Sequence, residues 1–204
     1  MSILLDRARR LLALAHTGLH YTENEFEKER YEEVIRIATD LIANGEAYRA
    51  DHLQAVWQVE SGYVTPKLDV RGAIFRGEEV LLVRERSDGH WTVPGGFADV
   101  NESPSVAILK EIEQESGYTA RIVKLAAVHD RNIHNYPAFM FHLWKLLFVC
   151  EITGGAPQES METDGVGFFR LDALPMLSTG RITAAQLRML HKHYLNPQLA
   201  TEFD

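Results

Sequence analysis

The chain has 204 residues, 46% apolar and 25% charged, a composition that excludes a disordered or fibrous protein and implies a folded core. Its net charge of −8 argues against a nucleic-acid partner, which requires clustered Lys and Arg to displace counterions, but leaves anionic small molecules open because a divalent cation reverses the local field. The single cysteine, Cys150, excludes an intramolecular disulfide, and with no secretory signal and no apolar run near the roughly 18 residues of a membrane span, a cytoplasmic location and no membrane partner are expected.

Residues 1–60 read as helical. Leu4, Ala8, Leu11, Leu12 and Ala15 fall on one face of a first helix, with Gly18 as its expected stop. Thr22 and Glu25 have the spacing of a capping box. The stripe Tyr31, Val34, Ile35, Ala38, Leu41 and Ile42 then predicts an amphipathic helix ending near Asn44-Gly45. A third short helix is expected from about Asp51, with Leu53, Val56 and Trp57 inward. So few helices can scarcely bury this apolar surface alone, so they are expected to pack on the second region, on a partner subunit, or on both.

The segment SGYVTPK (61–67) reads as a linker, giving a helical domain over 1–64 and a second domain over 65–204. Beyond it the hydrophobic period shortens. LDVRGAIFRGEEVLLVRER predicts two strands joined at Arg76-Gly77, followed by a turn at Ser87-Asp88-Gly89. ARIVKLAAVHDR, MFHLWKLLFVCEI and VGFFR are further strands, and ITAAQLRMLHKHYL is a closing helix. In that helix Ile182, Leu187, Leu190 and Tyr194 are expected to pack, and His191 and His193 to face solvent. Hairpins rather than regular βαβ repeats predict an α+β fold with a mixed sheet.

Chemistry concentrates in GGFADVNESPSVAILKEIEQESGY, residues 95–118. Ser103-Pro104 predicts a helix start and Gly117 its end. Glu111 and Glu115, four apart, share one face, with Gln114 on the same side. Like charges at that spacing repel, so the helix is either solvated surface or a site where a cation neutralises them. Mg²⁺ or Mn²⁺ would suit oxygen ligands of this kind, and Glu102, in the loop before the helix, is placed to complete the site. On the early strands, Arg71, Arg84 and Arg86 are candidates to grip phosphate. The polar, interrupted segment 130–140 offers Arg131, His134 and Asn135 as substrate contacts, and Tyr136 or Phe139 as a stacking surface.

This stretch resembles the signature of the Nudix hydrolases, G-x5-E-x7-R-E-U-x-E-E-x-G-U with U a bulky apolar residue. Gly96, Glu102, Glu111, Ile112, Glu115 and Gly117 match at both expected gaps; Lys110 stands in place of Arg and Gln114 in place of Glu. The preceding WTVPGG also fits the family. HTGLHYTENEFEKERYEEV, GYVTPKLDVRGAIF, HDRNIHN and METDGVGFF are similar to bacterial members with an N-terminal helical domain. The resemblance implies an α/β/α sandwich and cleavage of a nucleoside diphosphate linked to another group, such as CDP-choline or ADP-ribose, dependent on Mg²⁺ or Mn²⁺. It carries the metal role onto Glu111 and Glu115, with Glu102 and Gly96 in the same set. It also points to Glu162, in the loop before the last strand, as a catalytic carboxylate with Asp164 as its substitute, and to a homodimer formed through the N-terminal helices. The departures at Lys110 and Gln114 leave a second expectation open, a nucleotide-binding sensor that has lost rate.

Overall fold

The computed structural model describes residues 3–45 and 62–204; the third helix expected near Asp51 lies outside them. Two compact units are present, Met1–Pro66 with Ala138–His142, and Lys67–Pro137 with Leu143–Asp204.

In the first unit, α1 (Ile3–Tyr21) and α2 (Glu25–Gly45) pack against each other. Leu5, Ala8, Leu12 and Ala15 of α1 meet Ile35, Ala38 and Ile42 of α2, with Met140 and Phe141 added to the cluster. The buried stripe is rotated from the expected one: Leu4 and Leu11 are exposed, and Leu5 takes the inward position. Gly18 does not stop α1. A Cβ there would lie 2.3 Å from the Tyr31 ring, so the glycine admits the close approach of α2 while the helix continues to Tyr21. The cap of α2 is also displaced. Asn24 Oδ1 accepts from the backbone N–H of Phe26 at 2.9 Å, whereas Thr22 accepts from Asn24 N and donates to Glu27. Asn24 directly precedes the first turn, and its short amide reaches the orphan N–H groups there. Ile3, Leu14, Phe26 and Ile37 remain more than half, or close to half, exposed.

The second unit is a mixed sheet. Its strands are β1 (Lys67–Arg76), β2 (Glu79–Glu85), β3 (Trp91–Thr92), β4 (Tyr118–Asp130), β5 (Leu143–Gly155), β6 (Thr163–Arg170) and β7 (Glu202–Phe203). The order is β3-β2-β1-β5-β4-β7, with β6 on β2. β1 runs parallel to β5, while β4 and β5 form a long antiparallel pair. Because side chains alternate along a strand, the two faces carry separate clusters. On one, Val70, Ile74, Phe148 and Cys150 meet Ile108 and Ile112 of α3 (Pro104–Ser116). On the other, Ala73, Phe75, Ala127, Leu147 and Val149 meet Ile182, Leu187 and Leu190, the last two on α4 (Ala184–Leu195). The sheet is thus covered by a helix on each face, the α/β/α sandwich that the family resemblance implies, built on the mixed sheet that the element order predicts. Cys150 is buried, and burial pushes its thiol up to about 12.

His191 and His193 are not on the surface. Both are buried: His191 Nε2 reaches the Gly77 carbonyl at 2.9 Å and its ring lies 5.2 Å from that of Phe75. His193 Nε2 pairs with Glu202 at 3.2 Å. The helical period turns both toward neighbours, and an imidazole tolerates burial once a polar atom receives its N–H. Among the described residues, no helix is long and apolar enough to cross a membrane.

The helix α3 begins and ends as its sequence predicts. Ser103 accepts from Val106 N, Pro104 occupies the first turn, and Gly117 closes it at φ 74° in the left-handed region. A Cβ at Gly117 would lie 2.4 Å from the Ala156 carbonyl oxygen. Gly117→Ala is therefore expected to destabilise the protein by more than about 1 kcal/mol, through left-handed strain and the backbone clash. Urea unfolding measures this, and an unchanged midpoint would contradict the cap.

Candidate functional site

Residues 94–98 form an irregular strand along the free edge of β1. Val70 N donates to Gly96 O at 2.8 Å, Gly72 N to Pro94 O at 2.9 Å, and Ala98 N to Leu68 O at 3.0 Å. This lays two glycines between β1 and α3. Gly95 has φ 142°, and a Cβ there would sit 2.0 Å from Val70 O. Its N–H donates to Glu115 Oε2 at 2.9 Å. A Cβ at Gly96 would sit 3.2 Å from Glu111 Oε1. The pair of helix carboxylates thus rests directly against the glycine backbone, Glu115 buried and Glu111 half-buried.

Burial raises the Glu115 carboxyl to about 8, against the opposing pull of Arg71 and the Gly95 N–H; Glu85 and Glu111 add to the rise. Burial raises Glu111 as well, with Glu162 among the charges that reinforce it. Glu102 has one oxygen, Oε1, held by Lys110 Nζ at 2.7 Å, and the same ammonium bonds Asp99 at 2.9 Å. Its other oxygen, Oε2, is buried and has no hydrogen-bond partner. A buried carboxylate oxygen without a partner, in the same box as two carboxyls that burial pushes upward, is a donor set suited to a hard divalent cation, which takes oxygen ligands. The residues present therefore fit such an ion. The Gln114 side chain is exposed and bonds none of the box carboxylates.

The loop before β6 is fastened to the C-terminal end of α3. Gln158 N donates to Ser116 O at 2.9 Å, and Thr163 Oγ1 to Glu115 O at 2.7 Å. That brings exposed Glu162 close enough to influence both Glu111 and Glu85. Arg84 and Arg86 are engaged by the same loop: Arg84 Nε pairs with Asp164 at 2.6 Å, and Arg86 with Glu159 at 3.5 Å. Neither bonds a box carboxylate. Arg71 lies by the box, buried under Gly95 and within Coulombic reach of Glu115, Glu85 and Glu111.

Apart from Phe139, the other candidates gather elsewhere in this unit. Arg131 is buried with its guanidinium 5.0 Å from the centre of the Tyr136 ring, and Lys145 Nζ lies 5.2 Å from the same ring. Tyr136 is thereby enclosed, and its hydroxyl bonds Gln186. Phe139 packs edge-on against Phe141 in the first unit. His134 stacks on His129 at 3.8 Å and pairs with Asp204 at 2.8 Å. Among the described residues, His129, His134 and Asp204 are the trio whose ligand atoms all lie within 4.8 Å of one another. The box carboxylates stand wider apart. Asn135 is exposed with φ 55°.

Sequence reasoning missed Asp69, Lys145 and Glu85. Asp69 and Lys145 face each other in register across β1 and β5, and Arg71 Nη2 holds Asp69 Oδ1 at 2.8 Å. Glu85 is buried on β2, bound by Arg181 Nε at 3.0 Å, and raised by burial. The available signal was a charged residue at an inward position of an otherwise apolar alternating strand.

Known proteins resemble this chain along most of its length. Residues 65–191 match the family model described as NUDIX domain, and residues 3–57 match one described as UDP-X-like, N-terminal oligomerisation domain. Bacillus subtilis YjhB, provisionally named an ADP-ribose pyrophosphatase, is 40% identical over 200 residues, spanning 98% of this chain and 96% of the relative. The crystal structure of an ADP-ribose pyrophosphatase from Streptococcus suis is 38% identical with a TM-score of 0.64, covering 69% of this chain and all of that one. A UDP-X diphosphatase structure is 33% identical with a TM-score of 0.65, covering 98% of both.

Gly95→Ala is expected to cost about 1–3 kcal/mol, as overpacking against backbone does, and to displace the N–H that orients Glu115. Thermal unfolding of the variant tests this; a wild-type melting temperature would show that the loop does not press on β1.

Proposed function

This chain belongs to the Nudix hydrolases, and from that membership we propose that it hydrolyses the pyrophosphate bond of a nucleoside diphosphate linked to a second group. ADP-ribose is the first candidate, giving AMP and ribose 5-phosphate; CDP-choline, giving CMP and phosphocholine, and UDP-linked compounds are the others. The observation that carries this reading is the seating of Glu111 and Glu115 against the Gly95-Gly96 backbone, with Glu102 Oε2 left unpartnered nearby.

Glu111, Glu115 and Glu102 would hold the Mg²⁺ or Mn²⁺, with Gly96 leaving room for the Glu111 carboxylate. When bound, the cation supplies a more acidic water and neutralises charge on the phosphate oxygens. Glu162, exposed in the loop before β6, is proposed to take the proton of the attacking water. The water oxygen bonds to phosphorus, the bridging P–O bond breaks, and the bridging oxygen leaves on the second phosphate. Arg71 is proposed to grip phosphate near the box. Arg131, His134 and Asn135 are proposed to meet the rest of the substrate. Arg84 and Arg86 contribute by holding the loop that carries Glu162.

The exposed apolar residues of α1 and α2, with the match to an oligomerisation domain, support a homodimer formed through residues 1–64, the catalytic domain being 65–204.

A panel of ADP-ribose, CDP-choline and a UDP-sugar, assayed with Mg²⁺ and with Mn²⁺ for nucleoside monophosphate release, tests the activity. Turnover of at least one is expected, and Glu115→Gln should lower kcat by about 10²-fold or more with the fold intact. Binding without turnover across the panel would replace the hydrolase with a nucleotide sensor. For the assembly, removal of residues 1–60 is expected to give a monomer or an insoluble chain; light scattering from a soluble truncated dimer would refute the N-terminal interface.

A further inference from the structure

Beside the box lies a buried charge cluster whose members come from two strands. Asp69 and Arg71 are two apart on β1, so they share a face, and Lys145 is the register partner of Asp69 on β5. All three are buried. Arg71 spends two of its nitrogens on Asp69: Nε reaches both carboxylate oxygens at 3.2 Å and Nη2 reaches Oδ1 at 2.8 Å. Lys145 Nζ takes the other oxygen, Oδ2. The third nitrogen of the guanidinium, Nη1, is buried and has no hydrogen-bond partner.

A buried donor on a charged group is costly to leave unpaired. The charge count sharpens the point. One carboxylate faces two cations, so the trio is net positive at neutral pH. Asp69 is held below the ordinary carboxylate range by Arg71 and Lys145 despite its burial, so its negative charge is fully present. Burial lowers Lys145 to about 8, with Arg71 and Arg131 pressing the same way and Asp69 opposing. Lys145 therefore neutralises much of Asp69, and Arg71 keeps charge that its own partner does not cancel. Gly95 joins this cluster to the box: its N–H holds Glu115, while its missing Cβ would touch Arg71 Cδ at 3.0 Å. Glu115 and Arg71 are each 5% exposed.

We infer that Arg71 Nη1 is a binding donor for an oxygen of the substrate's diphosphate, and that Asp69 and Lys145 are positioning residues that fix the guanidinium and preserve its charge. This deepens the diphosphohydrolase reading and rests on it. A planar fork with one end anchored on a carboxylate presents its remaining N–H in a fixed direction, which suits a phosphate oxygen better than a freely rotating ammonium does. Lys145 acts through Arg71 and touches no reacting atom.

The probe is methylenediphosphonate, whose P–C–P link resists hydrolysis, titrated into the full-length protein with Mg²⁺. In the wild type, the side-chain nitrogen resonances of Arg71 are expected to shift on saturation. Arg71→Lys keeps a charge but loses Nη1, and Lys145→Met removes the second cation; each is expected to weaken probe binding about tenfold or more, the loss of one charge-assisted hydrogen bond. For a turned-over substrate, Lys145→Met should raise KM more than it lowers kcat, and Lys145→Arg should restore KM. Arg71 resonances that stay fixed at saturating probe, or a folded Arg71→Lys variant binding as tightly as wild type, would overturn the subsite; the first measurement needs no variant to fold. Unchanged KM in Lys145→Met, or in Lys145→Gln should the former not fold, would remove Lys145 from it. If the wild type shifts Arg71 on probe binding yet hydrolyses nothing in the substrate panel, the subsite stands and the hydrolase reading fails.

Discussion

The close fit of the Pro94–Gly96 backbone against β1 is the constraint on which the site depends. Backbone bonds from Val70 and Gly72 draw the loop onto the strand edge, and no side chain fits at Gly95 because Val70 O already occupies that volume. With the loop so placed, one face of the glycine pair is open to α3. Glu115 enters by accepting the Gly95 N–H, and Glu111 fills the space that a Gly96 side chain would take. A carboxylate so deeply buried is normally avoided. Its persistence is consistent with a ligand role, in which a cation replaces the proton that burial otherwise favours.

The two faces of the sheet then divide the work. The α3 face is apolar along Val70, Ile74, Phe148 and Cys150 and holds the helix rigidly. The α4 face is apolar only along part of its length. Past Ala73 it gives way to Arg71, Asp69, Lys145 and His129, and this polar stretch adjoins the box through Gly95. The box carboxylates and the Arg71 guanidinium thus sit on opposite sides of the same strand edge, each held by a packed layer. Such support from regular elements holds reacting groups more tightly than loops alone.

Much of this was legible in the sequence. Ser103-Pro104 and Gly117 marked the ends of α3 because capping is local chemistry, decided within one turn. The strands β1, β2, β4, β5 and β6 followed from alternation and β-branched content. Errors arose where a distant residue decided the outcome. Gly18 looked like a stop, but the Tyr31 ring made it a packing position. Thr22 had the spacing of a cap, yet Asn24 lay nearer to the free N–H groups. His191 and His193 looked solvated because their partners, Gly77 and Glu202, are remote or lie beyond a turn.

The sequence by itself determined the box, since Gly96, Glu102, Glu111 and Glu115 have a spacing that places a loop and one helix face together, and both are short-range properties. It also determined the fold class, through the periods of its apolar residues. Only the tertiary structure decided which cation lies against the box. Arg71, Arg84 and Arg86 are equivalent as letters on early strands, but pleating and pairing bury Arg71 under Gly95 and turn the other two toward Glu159 and Asp164. Lys145 and Asp69 are 76 residues apart and meet because β1 and β5 run parallel in register. Long-range register sets such meetings, and no local pattern encodes it.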